Sequence, residues 1–211
     1  MRYLTLLMMA CAILLPGKNA AAEEQSLKKA YFAGGCFWCI ESDFEKYYPK
    51  AVKTVISGYA GGHVDKPTYK QVSKGNTGHI EAIEITYDPK LVTYKELLEV
   101  LMTHVDPTDD GGQFCDRGYQ YQSAVFYQNE TEQKEMKEIF AWAEKQLKQK
   151  IKMHQAPYKN FYPAETYHQD YYKKNPLRYK YYRHRCGRDK RVLSLWADYK
   201  AAEESQIRPA F

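Results

Sequence analysis

Strand-like and helix-like stretches alternate along this chain, each too short to stand alone, and that alternation limits the possible folds more than any other feature. Lys29 to Phe32 reads as a short strand running into Gly34-Gly35, and Trp38 to Tyr47 reads as a helix. Val52 to Tyr59 is a second strand, closed by Gly61-Gly62. His79 to Tyr87 alternates, which places Glu81, Ile83, Ile85 and Tyr87 on one face and Glu84 and Thr86 on the other. Thr93 and Glu96 form a capping box ahead of Tyr94, Leu97, Leu98, Leu101 and Val105, which recur at helical spacing up to Asp106-Pro107. Gln120 to Tyr127 is a further strand. Thr131 to Lys150 is a longer helix with Met136, Ile139, Phe140, Ala143 and Leu147 inward. The pattern predicts an α/β (α+β) domain of two layers, helices on a mixed sheet. A hydrophobic fraction of 44% against 27% charged residues is enough for the core of one domain, and no repeat or Pro/Ser-rich linker divides the chain.

The first 22 residues have a different character. Arg2 precedes a nearly unbroken apolar run from Leu4 to Leu15, which Pro16-Gly17 ends, and Ala20-Ala21-Ala22 offers a small-residue cleavage site before Glu23-Glu24. This is the tripartite pattern of a secretory signal peptide. The run is shorter than the ~17–25 residues a membrane span needs, and Met8-Met9-Ala10-Cys11 is a poor lipidation box. Cleavage after Ala22 is expected, leaving residues 23–211 as one domain with a core over about 28–176 and a basic, Tyr-rich tail over 177–211. Export to a periplasm or another secretory space, without membrane insertion after cleavage, would place the remaining cysteines where disulfides persist.

The chemistry concentrates at Gly35-Cys36-Phe37-Trp38-Cys39. Cys36 falls at the start of a helix after a glycine turn, where backbone N–H groups are expected to point at its sulfur and favour the nucleophilic thiolate. Cys39 lies one helical turn on, close enough to attack an oxidised Cys36 and form a disulfide. A static disulfide or half of a zinc site are the plain alternatives, although no second Cys-x-x-Cys is present to complete a zinc site. No metal is expected. Glu81, on an apolar strand face, would be desolvated and kept protonated, unless it pairs in a structural salt bridge.

These residues resemble the signature of the peptide methionine sulfoxide reductase A family. The resemblance continues in order through Gly58-Tyr59-Ala60-Gly61-Gly62, Pro67-Thr68-Tyr69, Gly75 to Glu81, Asp116 to Ala124, Phe161 to Glu165 and His168-Gln169-Asp170-Tyr171. It covers roughly Lys28 to Pro176. It implies the family's two-layer α/β plait, a ferredoxin-like core with an extended C-terminal tail, and reduction of the S-epimer of methionine sulfoxide, free or in proteins. By the same resemblance Cys36 is the nucleophile and Glu81 the proton donor. Phe37 and Trp38 would enclose the substrate methyl group, or else be core residues. Tyr69 and Tyr121 match the tyrosines that hydrogen-bond the sulfoxide oxygen, and Asp116 matches their polar partner. A sulfenic acid on Cys36 would condense with a second thiol, and an external, thioredoxin-like dithiol would reduce the disulfide. No bound cofactor is required, and a monomer is expected.

The chain departs from the common pattern of the family at Cys39, where Gly is frequent, and in its tail, where Arg185-Cys186-Gly187-Arg188-Asp189 replaces the usual pair of resolving cysteines. Cys39 is the first choice for the resolving thiol by proximity. Cys186 is the second, carried on a tail, and the two acting in series is a third route. Cys115, next to Asp116, reads as a small buried hydrophobe. His79 and His168 are expected to border the pocket, and either would serve a Cys–His hydrolase.

Eight tyrosines between Tyr158 and Tyr182 are expected to wrap the domain and cover its sheet. The basic stretch from Arg178 to Arg191, interleaved with Tyr179, Tyr181 and Tyr182, has the composition of a single-strand nucleic-acid groove. A formal charge of +5 is too small to favour that use, and a solvated basic face is the simpler reading. A general thiol–disulfide oxidoreductase and a non-catalytic binding module remain as competing functions.

Overall fold

A computed structural model describes residues 26–199. The signal peptide expected over residues 1–22 and the end of the tail lie outside them. The elements run β1 (Lys28–Gly34), α1 (Phe37–Tyr47), β2 (Val52–Ala60), the one-turn α2 (Tyr69–Val72), β3 (Ile80–Tyr87) and α3 (Tyr94–His104). A small hairpin, β4 (Gly112–Gln113) and β5 (Asp116–Arg117), precedes β6 (Ser123–Tyr127), α4 (Glu130–Leu147), β7 (His154–Pro157) and β8 (Phe161–Pro163). The tail carries α5 (Tyr171–Lys174), α6 (Pro176–Cys186) and α7 (Arg188–Leu195). No helix among the described residues is long and apolar enough to cross a membrane.

The main sheet has six strands in the order β7-β6-β1-β3-β2-β8. Its pairings are antiparallel except β6 with β7, so the sheet is mixed as expected. Ala30 and Phe32 of β1, Val55 and Tyr59 of β2, and Ile83, Ile85 and Tyr87 of β3 point into one core with Phe44 of α1, Leu97, Leu98 and Leu101 of α3, and Met136, Ile139, Phe140 and Ala143 of α4. The opposite face is built from small residues, Ala33, Ala60, Ala82 and Ala124, with Tyr31, Ile80 and Phe126. The returning chain around Ala156 to Phe161 covers it, and Tyr158 stacks on Tyr31 at 4.1 Å between ring centroids. The returning chain, through Tyr158 and Phe161, therefore closes one side of the sheet, as expected of the tyrosines that begin at Tyr158.

The capping box at Thr93 forms as expected: the Glu96 N–H donates to Thr93 Oγ1 at 3.2 Å while Glu96 Oε2 accepts from the Thr93 N–H at 2.7 Å. Two boundaries differ from expectation by three residues. The strand expected from Gln120 starts at Ser123, because Tyr119–Tyr121 form a 3-10 turn after Gly118 (φ 121°). The helix expected to Lys150 ends at Leu147, where Lys148 turns left-handed (φ 52°) and leaves Leu147 half-buried.

Candidate active site

The end of β1 meets the start of α1 through Gly35, whose φ of +77° is left-handed and whose added Cβ would come 2.5 Å from Gln113 Cβ. Only glycine fits there. The turn makes Cys36 the N-cap residue of α1 and buries it to 5% exposure. The Phe37 N–H, one of the helix's unpaired first-turn donors, points at Glu81 Oε2 at 3.0 Å. This corrects the expectation that the Cys36 sulfur receives the helix N-terminus: no side-chain cap bond forms at Cys36. Glu81 sits on β3 opposite Tyr59 of β2, on the helix side of the sheet and 2% exposed, so α1 and β3 deliver the thiol and the carboxyl to one place. It is not held in a salt bridge with any described residue.

Cys36, Phe37, Trp38, Tyr69, Glu81, Asp116, Tyr121 and Tyr182 line one cavity of about 100 Å³. The Trp38 indole is fixed on both sides. Its Nε1–H donates to His168 Nδ1 at 3.1 Å, its face stacks on Tyr171 at 3.6 Å, and the Tyr182 ring meets it edge-on at 6.0 Å. Phe37 is 1% exposed and packs against His168 at 4.9 Å between centroids, so it belongs to the core and the cavity at once.

Tyr69 is placed by Glu165, which accepts the Tyr69 N–H at 2.9 Å and the Tyr59 hydroxyl at 2.8 Å. Tyr69 and Tyr121 line the same cavity. Asp116 rides on the β4–β5 hairpin, pinned to the end of α3 by Gln113, whose Nε2 donates to the Asp106 carbonyl at 2.7 Å and whose Oε1 accepts the Asp106 N–H at 2.8 Å. The Tyr182 hydroxyl donates to Asp116 Oδ2.

Burial sets the protonation of the site. Desolvation pushes Glu81 well above the usual carboxyl range, only partly offset by the Phe37 N–H, and so favours its acid form. Desolvation likewise raises the Cys36 thiol, helped by its hydrogen bond to Cys39. Cys39 is held down by that same bond and by the Arg188 and Arg183 guanidiniums, which outweigh its own burial. The resting proton therefore belongs on Cys36 rather than on Cys39, the reverse of what the helix N-terminus alone suggested.

Cys36 and Cys39 are both free and buried. Cys186 is joined to Cys115 by a disulfide, with Cα atoms 4.9 Å apart. Cys186 therefore offers no thiol in this state, either as second-choice resolving residue or as the end of a series. Cys115 is exposed, not a buried hydrophobe, because the β4–β5 turn presents it outward to the end of α6.

The basic tail is also not simply a solvated face. Arg188 is 1% exposed and its Nη2 donates to the Gly34 carbonyl at 2.9 Å, while Arg183 Nη1 pairs with Asp43 at 2.7 Å. His79 is not among the residues lining the cavity; its ring accepts the Gly62 N–H at 3.2 Å and bonds the Val64 carbonyl at 2.8 Å, holding that loop. His168 spends Nδ1 on Trp38, and burial keeps it neutral. Tyr171 and Tyr182 were missed as site residues. The signal was present: Tyr179, Tyr182 and Cys186 stand at i, i+3 and i+7, one face of a helix.

The family model for peptide methionine sulfoxide reductase matches residues 28–200. The chain belongs to that family. Its A-type relatives include a Staphylococcus aureus protein named peptide methionine sulfoxide reductase MsrA 2, 47% identical over 82% of this chain and 97% of its own length. The MsrA/MsrB protein of Vibrio cholerae is 56% identical over 87% of this chain, and the chain spans about half of that relative (53%). The crystal structure of Mxr1 from Saccharomyces cerevisiae in reduced form superposes with a TM-score of 0.68 at 35% identity, covering 71% of this chain and 86% of the other. For a methionine sulfoxide reductase fold, the cavity beside Cys36 sits where strand β1, helix α1 and the tail converge.

Proposed function

We propose that this protein is a peptide-methionine (S)-S-oxide reductase, acting on free and protein-bound methionine sulfoxide. The observation that carries the reading is the meeting of a free buried thiol, a buried carboxyl and the two tyrosines Tyr69 and Tyr121 around a space of about 100 Å³. Phe37 and Trp38 enclose the methyl group. Tyr69 and Tyr121 turn their hydroxyl protons to the sulfoxide oxygen. Cys36 attacks sulfur while Glu81 protonates that oxygen. The S–S bond formed by the attack then breaks as the hydroxyl passes from the methionine sulfur to the Cys36 sulfur. The S–O bond on methionine is thus exchanged for one on Cys36, the sulfide leaves as methionine, and Cys36 is left as a sulfenic acid. The Cys36 S–H proton replaces the one Glu81 gave, so thiol plus sulfoxide becomes sulfenic acid plus sulfide. Cys39 then displaces water from Cys36 to form a disulfide, and an external thioredoxin-like dithiol reduces it. The guanidiniums beside Cys39 favour the thiolate that this second step requires.

We place the reaction in an exported, monomeric protein. The apolar run from Leu4 to Leu15 supports export, and so does the exposed Cys115 in a disulfide, a pairing that lasts in oxidising compartments. Oxidised proteins in a periplasm would be the substrates. The test is dithiothreitol-dependent loss of the separate S- and R-epimers of a methionine sulfoxide peptide. Turnover of the S-epimer alone, abolished in Cys36→Ser, is expected. Turnover retained in Cys36→Ser, or insulin reduction without sulfoxide turnover, would overturn the assignment.

A further inference from the structure

Helix α6 carries three residues toward the site from one face. Tyr179 is buried among Cys36, Cys39 and Tyr171; Tyr182 lines the cavity; Cys186 is bonded to Cys115. The phenol of Tyr182 donates to Asp116 Oδ2 and lines the same cavity as the Cys36 sulfur. Its ring is held edge-on to Trp38, which stacking on Tyr171 immobilises. The disulfide ties the residue next to Asp116 to the residue one turn beyond Tyr182, so both partners of the Asp116–Tyr182 bond are anchored by one crosslink. A surface crosslink that served stability alone would have no need to join these two neighbours.

We propose that Tyr182 is a catalytic residue, whose hydroxyl donates to the Cys36 sulfur as negative charge develops there, and that the Cys115–Cys186 disulfide positions it. A phenol has one proton for two acceptors. While Asp116 is ionised, that proton belongs to Asp116. When Asp116 is protonated, its own O–H donates to the phenol oxygen and the phenol proton turns to sulfur. Burial of Asp116, which raises its pKa, favours this second arrangement. The titratable groups that face Cys36 are Cys39 on its own helix, Glu81 on β3, Tyr69 on α2, Asp116 on β5, Tyr121 before β6, and Tyr179 and Tyr182 on α6.

This proposal rests on the reductase reading above, but its first readout does not. In a Cys39→Ser background, the iodoacetamide alkylation rate of Cys36 is followed against pH by peptide mass spectrometry, with and without Tyr182→Phe. Tyr182→Phe is expected to move the Cys36 profile up by about one pH unit, and to slow single-turnover methionine formation about tenfold or more with substrate affinity little changed. Thermal melts check that the variant is folded. The pair Cys115→Ser with Cys186→Ser is expected to give a smaller shift in the same direction, adding little to Tyr182→Phe. An unmoved profile with unchanged single turnover would overturn the catalytic role. Full additivity of the crosslink and Tyr182 variants would overturn the positioning role. If no sulfoxide is reduced by the unmodified protein, the reductase reading fails, while the alkylation profile still decides whether Tyr182 donates to Cys36.

Discussion

Glu81 has one carboxyl oxygen on the Phe37 N–H at 3.0 Å and is 2% exposed, so ionising it costs more than a single backbone donor returns. Its folded pKa is raised, so the acid form persists above the ordinary carboxyl range and is lost as pH rises through the raised value. The rate of sulfoxide reduction should therefore have an alkaline limb that reports Glu81. Glu81→Gln keeps an oxygen for Phe37 but has no acidic proton. It is expected to lower kcat by about 10²–10⁴-fold and to remove that limb. Steady-state rates across pH check this, and an unchanged limb in Glu81→Gln would assign it to another group. Cys39 differs from Cys36 although both are buried, because its interaction with Cys36 and then the nearby Arg188 and Arg183 hold its pKa down. Neither arginine was readable as a site residue in the sequence, since a run of basic residues looks alike whether it is solvated or folded inward onto Asp43.

Helix α1 does more than present Cys36. Its Glu41, with no exposed surface, accepts the Ser57 hydroxyl of β2 and the Asp170 N–H of the tail, each at 2.8 Å. It therefore ties helix, sheet and tail together. Burial still pushes its pKa up to about 7, against two opposing hydrogen bonds and helped by nearby Glu45. The folded state holds this proton more tightly than the unfolded chain, whose Glu titrates near 4.3. Stability should accordingly fall as pH rises from about 4.5 to 7, with Glu41 contributing on the order of 3 kcal/mol of that fall. Urea unfolding at pH 5 and pH 7.5 checks it, with Glu41→Gln expected to show a flatter dependence than the unmodified protein.

At this scale the sequence was most informative where a local pattern and the tertiary structure agree. The capping box at Thr93, the alternation that put Glu81 with Ile83 and Ile85, and the glycine turn before Cys36 all form as read. What a one-dimensional pattern lacks is the direction of the first-turn N–H groups of α1. The Phe37 donor goes to a carboxyl 44 residues away, which no local rule could supply. The tail failed for a related reason. Its tyrosines follow helical spacing on α6, but low overall hydrophobicity hid that face.

For the whole molecule, the chain from Tyr158 to α7 closes both the open sheet face and the active site. The Cys115–Cys186 bond ties it back to the core across a separation of 71 residues. Closing a loop of that length restricts the unfolded chain, and removing the bond is expected to cost about 2–5 kcal/mol. Cys115→Ser with Cys186→Ser should lower the urea midpoint without reductant. In dithiothreitol, the unmodified protein should approach the variant; equal midpoints without reductant would contradict a stabilising role.

The central claim is that Cys36 takes the oxygen and Cys39 resolves it while Cys115–Cys186 stays closed. The direct measurement is one turnover without any external dithiol, quenched with acid and mapped by peptide mass spectrometry alongside the methionine formed. One methionine per protein, with a new Cys36–Cys39 disulfide and an unchanged Cys115–Cys186 disulfide, is the predicted result. A Cys36–Cys186 disulfide, or methionine formed with Cys39 still a free thiol and no sulfenic acid on Cys36, would contradict it.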